Sequence, residues 1–270
     1  MDVEVKKNKV IYTCLTGNYD NLLDPIVVSS DFDYICFSND IDQEYVGVWK
    51  INRIPSSIVD PNVLSRYIKI LPHLCLQKYD YSLYIDSNIR IMDKAFYTDI
   101  NNLIMSDVKV AQVPHIQSDC IYNEIIRCYC SEKISLKEAY HHYFKLARMG
   151  YPHHFGLCEN NIILRKHNEV LVRQIDERWW NEYLSSPKRD QLTLMVVYWQ
   201  TNFKPEFIFG NNRNVRNTSS LSLLSHLRQK KDIKSFASLY KFVGSCKFKL
   251  RYYLMFIIAR YIDIISNIKF

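Results

Sequence analysis

The stretch YSLYIDSNIRI, Tyr81 to Ile91, decides how the chain is read. Its first five residues are apolar or aromatic apart from one serine, the composition of a strand covered on both faces. Alternation places Tyr81, Leu83 and Ile85 on one face and Ser82, Tyr84 and Asp86 on the other, so Asp86 emerges where the strand ends. Asp86, Ser87 and Asn88 interrupt the run before Ile89 resumes it. Residues of this kind favour a turn. A carboxylate and a carboxamide two positions apart also offer oxygen ligands to a hard divalent cation, Mn²⁺ or Mg²⁺, that bridges to phosphate.

Working outward, the segments on either side supply a sheet for this strand to join. Lys9 to Thr16 (KVIYTCLT) and Asp33 to Ser38 (DYICFS) are β-branched and aromatic and end in polar turn residues, as buried strands do. Val108 to Val113 and Asn161 to Arg165 read the same way. Helical spacing appears between Asp60 and Gln77, where Asp60 is the N-cap, Pro61 the first helical residue, and Val63, Leu64, Tyr67, Ile68, Leu71 and Leu74 form the apolar stripe. Further helices are expected over Ile121 to Cys130, Leu136 to Met149 and Glu169 to Leu184. Ser186-Pro187 is expected to begin another, with Arg189, Asp190 and Gln191 in its first turn. Strands alternating with helices over about 200 residues predict an α/β domain with a mixed, mostly parallel sheet.

Composition narrows the chemistry. A chain of 270 residues with 48% hydrophobic content buries a sizeable core. Only 6 glycines are present, which excludes a glycine-rich phosphate loop of the P-loop or dinucleotide type. The 8 cysteines form no CxxC pair and mostly sit in apolar runs, the pattern of reduced, buried thiols in a cytoplasmic protein. The N-terminus MDVEVKKNKV lacks the apolar core of a secretion signal.

Charge is distributed unevenly. Residues 1–120 hold 11 Lys and Arg against 16 Asp and Glu, whereas residues 211–270 hold 12 against 2. The division is therefore read as a domain over residues 1–212 and a basic, aromatic helical extension over residues 213–270. The apolar run Tyr252 to Ala259 falls short of the roughly 20 residues that cross a bilayer. A basic amphipathic helix on an anionic membrane surface and a helix that closes the core are both consistent with it. Nucleic acid is not an expected partner, because the positive charge is confined to the tail and no aromatic-basic RNA module is present.

Near the Asp86 strand end, Arg66, Lys69 and His73 share the helix face opposite the apolar stripe. Such a face is either solvated or a cationic edge for a departing diphosphate, on which negative charge builds. Ligands in open α/β sheets bind beyond the carboxyl ends of strands.

The order of motifs resembles a glycosyltransferase family of GT-A fold, once catalogued only as a domain of unknown function and found in bacterial surface-polysaccharide loci and plant Golgi proteins. The residues that carry the resemblance are IYTCLTGNYDNL (Ile11 to Leu22), DYICFSND (Asp33 to Asp40), WKI (Trp49 to Ile51), SRYIKILPH (Ser65 to His73) and YSLYIDSNIRI. CIYNE (Cys120 to Glu124), GYPHHFGLCENNIILRKHN (Gly150 to Asn168), WWNEY (Trp179 to Tyr183) and KRDQLTLMVVYW (Lys188 to Trp199) follow in consistent order, spanning about residues 9–200.

The resemblance implies transfer of a sugar from a nucleotide donor, with a UDP-sugar expected, to a saccharide or lipid-linked acceptor in O-antigen or capsule synthesis at the inner face of the cytoplasmic membrane. It puts Asp86 and Asn88 in the place of the metal-binding Asp-x-Asp, Asn88 being neutral where many relatives carry a second carboxylate. Thr13, Gly17 and Tyr19 are implied to border the nucleoside, with Arg66 and Lys69 nearer the diphosphate and Gln191 beside Asp190 at the helix start aimed at the sugar. Glu159 and Asp190 are implied on the catalytic side, Asp190 as general base in an inverting reaction or as a stabilising charge in a retaining one. The third metal ligand is expected from His154, with His153, His115 and His167 as alternatives. Trp179, Trp180 and Trp199 either stack on a sugar or belong to the core. Two other functions fit the same residues, a degenerate member that binds a nucleotide sugar without transferring it and a basic nucleic-acid-binding module.

Overall fold

The computed structural model describes residues 8–225 apart from 18, 116 and 212, and residues 226–270, with most of the basic extension, lie outside the described residues. The described chain forms two compact units, residues 8–119 with 156–225, and residues 120–155.

The first unit is built on an eight-stranded sheet. Its strands are β1 (Lys9–Leu15), β2 (Asp33–Ser38), β3 (Tyr45–Val46), β4 (Trp49–Asn52), β5 (Tyr81–Ile85), β7 (Val110–Pro114), β8 (Cys158–Arg165) and β9 (Glu206–Phe207). They lie in the order β3-β4-β2-β1-β5-β8-β7-β9. Parallel pairing joins β1 to β2 and β5, β2 to β4, and β7 to β9, while β8 runs antiparallel between β5 and β7. This is the mixed, mostly parallel α/β sheet expected from the alternating pattern.

The chain leaves β1 toward β2 on one side and later returns to place β5 on the other. Strand order therefore reverses between β1 and β5, and the crevice beyond their carboxyl ends is where such sheets take ligands. A separate two-stranded ribbon joins β6 (Ile89–Ile91) to β10 (Leu221–Leu223) in antiparallel register. Residues 213–225, read from composition as the start of the extension, thus return to the first unit.

Both faces of the sheet are covered. On one, Ile11, Cys36, Leu83, Ile85, Ala111 and Leu164 meet Phe96, Tyr97 and Ile100 of α2 (Lys94–Met105) in a single apolar cluster. On the other, Tyr12 and Tyr84 lie beneath α1 (Pro61–Ile70), with α5 (Val170–Leu184) and α6 (Leu194–Gln200) alongside. Helix α1 begins as its sequence predicts, because Asp60 accepts hydrogen bonds from the Asn62 and Val63 backbone N–H groups and Pro61 occupies the first position. It ends at Ile70 rather than Gln77, since Pro72 lacks the N–H that would continue the ladder, and Pro72–Leu74 forms a short 3₁₀ turn.

In the second unit α3 (Ile121–Cys130) and α4 (Leu136–Met149) have the predicted bounds. A capping box between Ser135 and Glu138 starts α4, and Gly150 in the left-handed region ends it.

Two expectations are corrected. No helix starts at Ser186-Pro187; instead Asp190–Leu192 makes one 3₁₀ turn before α6 begins at Leu194. Strand β8 begins at Cys158 rather than Asn161, so Glu159 and Asn160 lie within it. Helix α2 has no counterpart in the sequence reading. All seven described cysteines are free, and all but Cys75 are buried, as their apolar surroundings predict.

Candidate active site

Four side chains singled out in the sequence converge at the crevice. Helix α1 carries Arg66 and Lys69 on one face, β5 ends at Asp86, and the turn after α5 delivers Asp190. The Lys69 Nζ stands 2.7 Å from Asp190 Oδ2 and 3.6 Å from Asp86 Oδ1, and Arg66 Nε is 3.5 Å from Asp190 Oδ1. Lys69 is only 2% exposed, so the face of α1 that could have been solvated is enclosed. Its ammonium lies 4.8 Å from the centre of the Tyr84 ring, a cation–π contact. The Tyr84 hydroxyl donates to Asp86 Oδ1 at 2.8 Å, and burial with the neighbouring Asp86 charge pushes that hydroxyl well above its ordinary pKa, which keeps it a donor.

Asp190 is buried, which by itself would raise its pKa. Lys69, Arg66 and Arg189, together with the Lys69 hydrogen bond, outweigh burial and hold the carboxyl well below the usual carboxylate range. A group so stabilised as an anion is a weak proton acceptor. The arrangement suits holding two cations in place more than it suits general-base work.

The walls of the crevice come from adjoining strand ends. Ser87 donates from Oγ to Asp20 Oδ2 at 3.1 Å, linking the turn after β5 to the loop after β1. Gly17, at φ 70°, lies in that same loop; its N–H donates to Asp40 Oδ2, and a Cβ there would come within 3.2 Å of Pro61. Tyr19 is 43% exposed beside it. Thr13, expected beside the nucleoside, is 1% exposed within β1. Gln191 donates from Nε2 to the Cys158 carbonyl, which ties the Asp190 turn to β8.

Glu159 sits in a polar network of its own. Its carboxylate accepts from Arg216, from Asn214 Nδ2 at 3.2 Å and from Asn161 Nδ2 at 2.8 Å, while the Asn161 carbonyl accepts the Asp86 N–H at 2.9 Å. A carboxylate with three donors on it is committed to holding residues 214–216 against β8. That partnership explains how Glu159 can be buried and weakens its reading as a reacting group. Asn88 is likewise committed, at 7% exposure with Nδ2 donating to the Leu224 carbonyl at 2.9 Å.

These contacts bear on the divalent cation that the resemblance implies. Asp86 fits it: the carboxylate side chain is 33% exposed and its Oδ2 makes no hydrogen bond among the described residues. No group of three His, Cys, Asp or Glu side chains suited to a metal occurs among the described residues. An ion here would take one carboxylate from the chain and its other ligands from diphosphate oxygens and water. His154 belongs to the second unit, exposed and at φ 55°. His167 is withdrawn as a ligand, since it is fully buried with Nε2 2.9 Å from the Leu76 carbonyl and burial lowers its pKa to about 4.

Several site residues escaped the sequence reading. Tyr84, Asp20 and Arg216 carry no local signature; only pairing of distant strands brings them in. Of the tryptophans, Trp179 is core, with Nε1 donating to Thr193 Oγ1 at 3.0 Å.

An eight-stranded, mostly parallel sheet with paired charges gathered at its switch point defines an α/β domain with a ligand crevice beyond its strand ends. The chain belongs to the family described as TOD1/MUCI70, glycosyltransferase-like domain, which matches residues 2–221. No curated protein matches the chain. Among solved structures it is similar to the apo form of the bifunctional glycosyltransferase WbbM, at 11% identity and a TM-score of 0.44, over 92% of this chain and 45% of that one. It is also similar to the apo form of mouse xyloside xylosyltransferase 1, at 8% identity and a TM-score of 0.38, over 75% of this chain and 84% of that one. The chain thus spans less than half of WbbM.

Proposed function

We propose that the protein transfers a sugar from a nucleoside-diphosphate sugar, with UDP as the expected nucleotide, to a saccharide or lipid-linked acceptor in surface-polysaccharide synthesis. The observation that carries this reading is the pair of cations, buried Lys69 and half-buried Arg66, set beside Asp86 and Asp190 at the sheet's switch point. A diphosphate entering the crevice meets two positive charges already oriented by Asp190, one of them desolvated, so they act on developing negative charge with little reorganisation. Asp190 fixes both cations from beneath. Once the diphosphate shares their charge, Asp190 becomes more basic than in the free protein, and either of its expected roles opens only then.

Asp86 would hold Mn²⁺ or Mg²⁺ together with the diphosphate. Such an ion supplies Lewis-acid stabilisation of the leaving group. Residues 16–20 would border the nucleoside. No described helix is long and apolar enough to cross a membrane. Association with the inner face of the cytoplasmic membrane would fall to the basic segment beyond Ser225.

The test is turnover and thermal shift across a panel of nucleotide sugars, with Mn²⁺ and with chelator. One donor is expected to raise the melting temperature, as a ligand of the folded state does. Lys69→Ala is expected to lower its turnover by about 100- to 1,000-fold, the usual cost of removing one stabilising donor. Asp86→Ala is expected to abolish metal-stimulated turnover. Full turnover in the Lys69→Ala protein overturns the reading, and donor binding without any turnover favours a degenerate, nucleotide-sugar-binding member.

A further inference from the structure

Directly under the proposed site, a guanidinium is sealed inside the fold. Arg165, at the end of β8, is 1% exposed, and its partner Asp176 on α5 is 2% exposed. Arg165 Nη1 donates to Asp176 Oδ1 at 2.9 Å and to the Ile70 carbonyl at 3.3 Å. Its Nη2 donates to the Lys69 carbonyl and, at 2.6 Å, to the Tyr12 hydroxyl. Tyr12, on β1, itself donates to the Lys69 carbonyl at 3.2 Å.

Two elements, β8 through Arg165 and β1 through Tyr12, therefore converge on the last two carbonyls of α1, and α5 holds Arg165 through Asp176. Those carbonyls have no acceptor role left within the helix, and a buried cation is a strong donor for them. The pair is poorly explained as a stabiliser, because a buried ion pair seldom outperforms apolar packing and this one is incomplete. Among the described residues, Arg165 Nε and Asp176 Oδ2 have no hydrogen-bond partner. What the contacts do fix is position. Lys69 reaches Asp190 and Asp86 on a flexible four-carbon stem, so the placement of its ammonium depends on the placement of its backbone.

We propose that Arg165, held by Asp176 and Tyr12, is a positioning residue that fixes the end of α1 so that Lys69 is presented to a diphosphate. The inference rests on the diphosphate reading of Lys69 and Arg66. It assigns a task to a residue that never touches the ligand.

Inorganic pyrophosphate is the probe, titrated calorimetrically into the full chain in chelator-treated buffer. Wild type is expected to bind it and Lys69→Ala to lose binding. Arg165→Lys keeps a charge for Asp176 but cannot serve both carbonyls and the tyrosine at once, and is expected to bind about tenfold more weakly, as removal of an orienting partner typically does. Tyr12→Phe removes one hydroxyl and is expected to weaken binding in the same direction; it carries the test should Arg165→Lys not fold.

Two readouts separate positioning from general support. The Lys69 ammonium resonance in lysine-¹⁵N-labelled protein should shift in Arg165→Lys and Tyr12→Phe. Ile100→Val, which trims the core on the other face of the sheet, should lower the melting temperature yet keep wild-type affinity. Wild-type affinity in both Arg165→Lys and Tyr12→Phe, with Lys69→Ala still defective, overturns the positioning role and leaves the diphosphate reading standing. Undiminished binding in Lys69→Ala, or none in wild type, overturns the diphosphate reading and the positioning role with it.

Discussion

At the scale of single residues, the electrostatics of Asp190 makes a measurable claim. Its folded pKa lies below the ordinary 3.8, so the unfolded chain takes up a proton first as the solution is acidified. The group's contribution to stability is therefore complete above that value and lost as pH falls below it. Thermal unfolding measured between about pH 6 and pH 3 should show wild type losing stability steeply on the acid side and Asp190→Asn losing less, by the sense of this linkage. At neutral pH the same substitution is expected to cost about 3 kcal/mol, because it removes the nearer counter-charge of buried Lys69 and that of half-buried Arg66, leaving Lys69 only Asp86. Parallel acid limbs for the two proteins would contradict the assignment. Arg66, Lys69 and Asp86 could be singled out from a helix face and a strand end, whereas Asp190 was singled out by the resemblance and by a helix start that does not form there. Arg165 and Asp176 were not, since nothing in NIILR or RQIDE announces that the two side chains meet beneath α1.

Elements show the same division between local and distant information. Helix α1 is encoded locally at its start and by its surroundings at its end. Asp60 caps two backbone N–H groups, and nothing but nearby sequence is needed to see it. At the other end Leu71 and Pro72 stop the ladder, and Arg165 takes up the carbonyls left over. Asp60→Ala is expected to cost about 1 kcal/mol of stability, the usual value of a lost N-cap, read from urea unfolding. Binding of the nucleotide-sugar donor should weaken far less than in the Arg165 variants, since the cap lies a turn and more from Lys69. The helix expected at Ser186-Pro187 failed for a related reason. A cap-like serine and a proline describe a permissible start, but the turn they open is tied to β8 through Gln191 and to Lys69 and Arg66 through Asp190. Tertiary partners overrode a weak local preference. Helix α2 escaped because its apolar residues are interleaved with Asn and Thr, and only its burial against the sheet reveals the face.

For the whole molecule, sheet order and charge distribution carry the argument. The crevice lies between β1 and β5 because the chain reverses there, a property of topology that no single motif contains. Charge divides the chain differently: residues 226–270 hold 10 Lys and Arg against 2 Asp and Glu, while residues 1–120 are acidic. A lipid-linked acceptor would be approached by the basic segment, each cation near an anionic surface contributing about 1 kcal/mol. The full chain is therefore expected to sediment with vesicles containing phosphatidylglycerol and not with neutral ones. Binding should fall as salt rises, since exposed charges are screened beyond about 10 Å at 0.1 M. Replacing Lys247, Lys249 and Arg251 by glutamate shifts the local charge by six and should release the protein from the anionic vesicles while donor turnover on a soluble acceptor persists. Undiminished sedimentation of that variant would move the membrane contact elsewhere on the chain, and loss of turnover along with binding would place the segment within reach of the site.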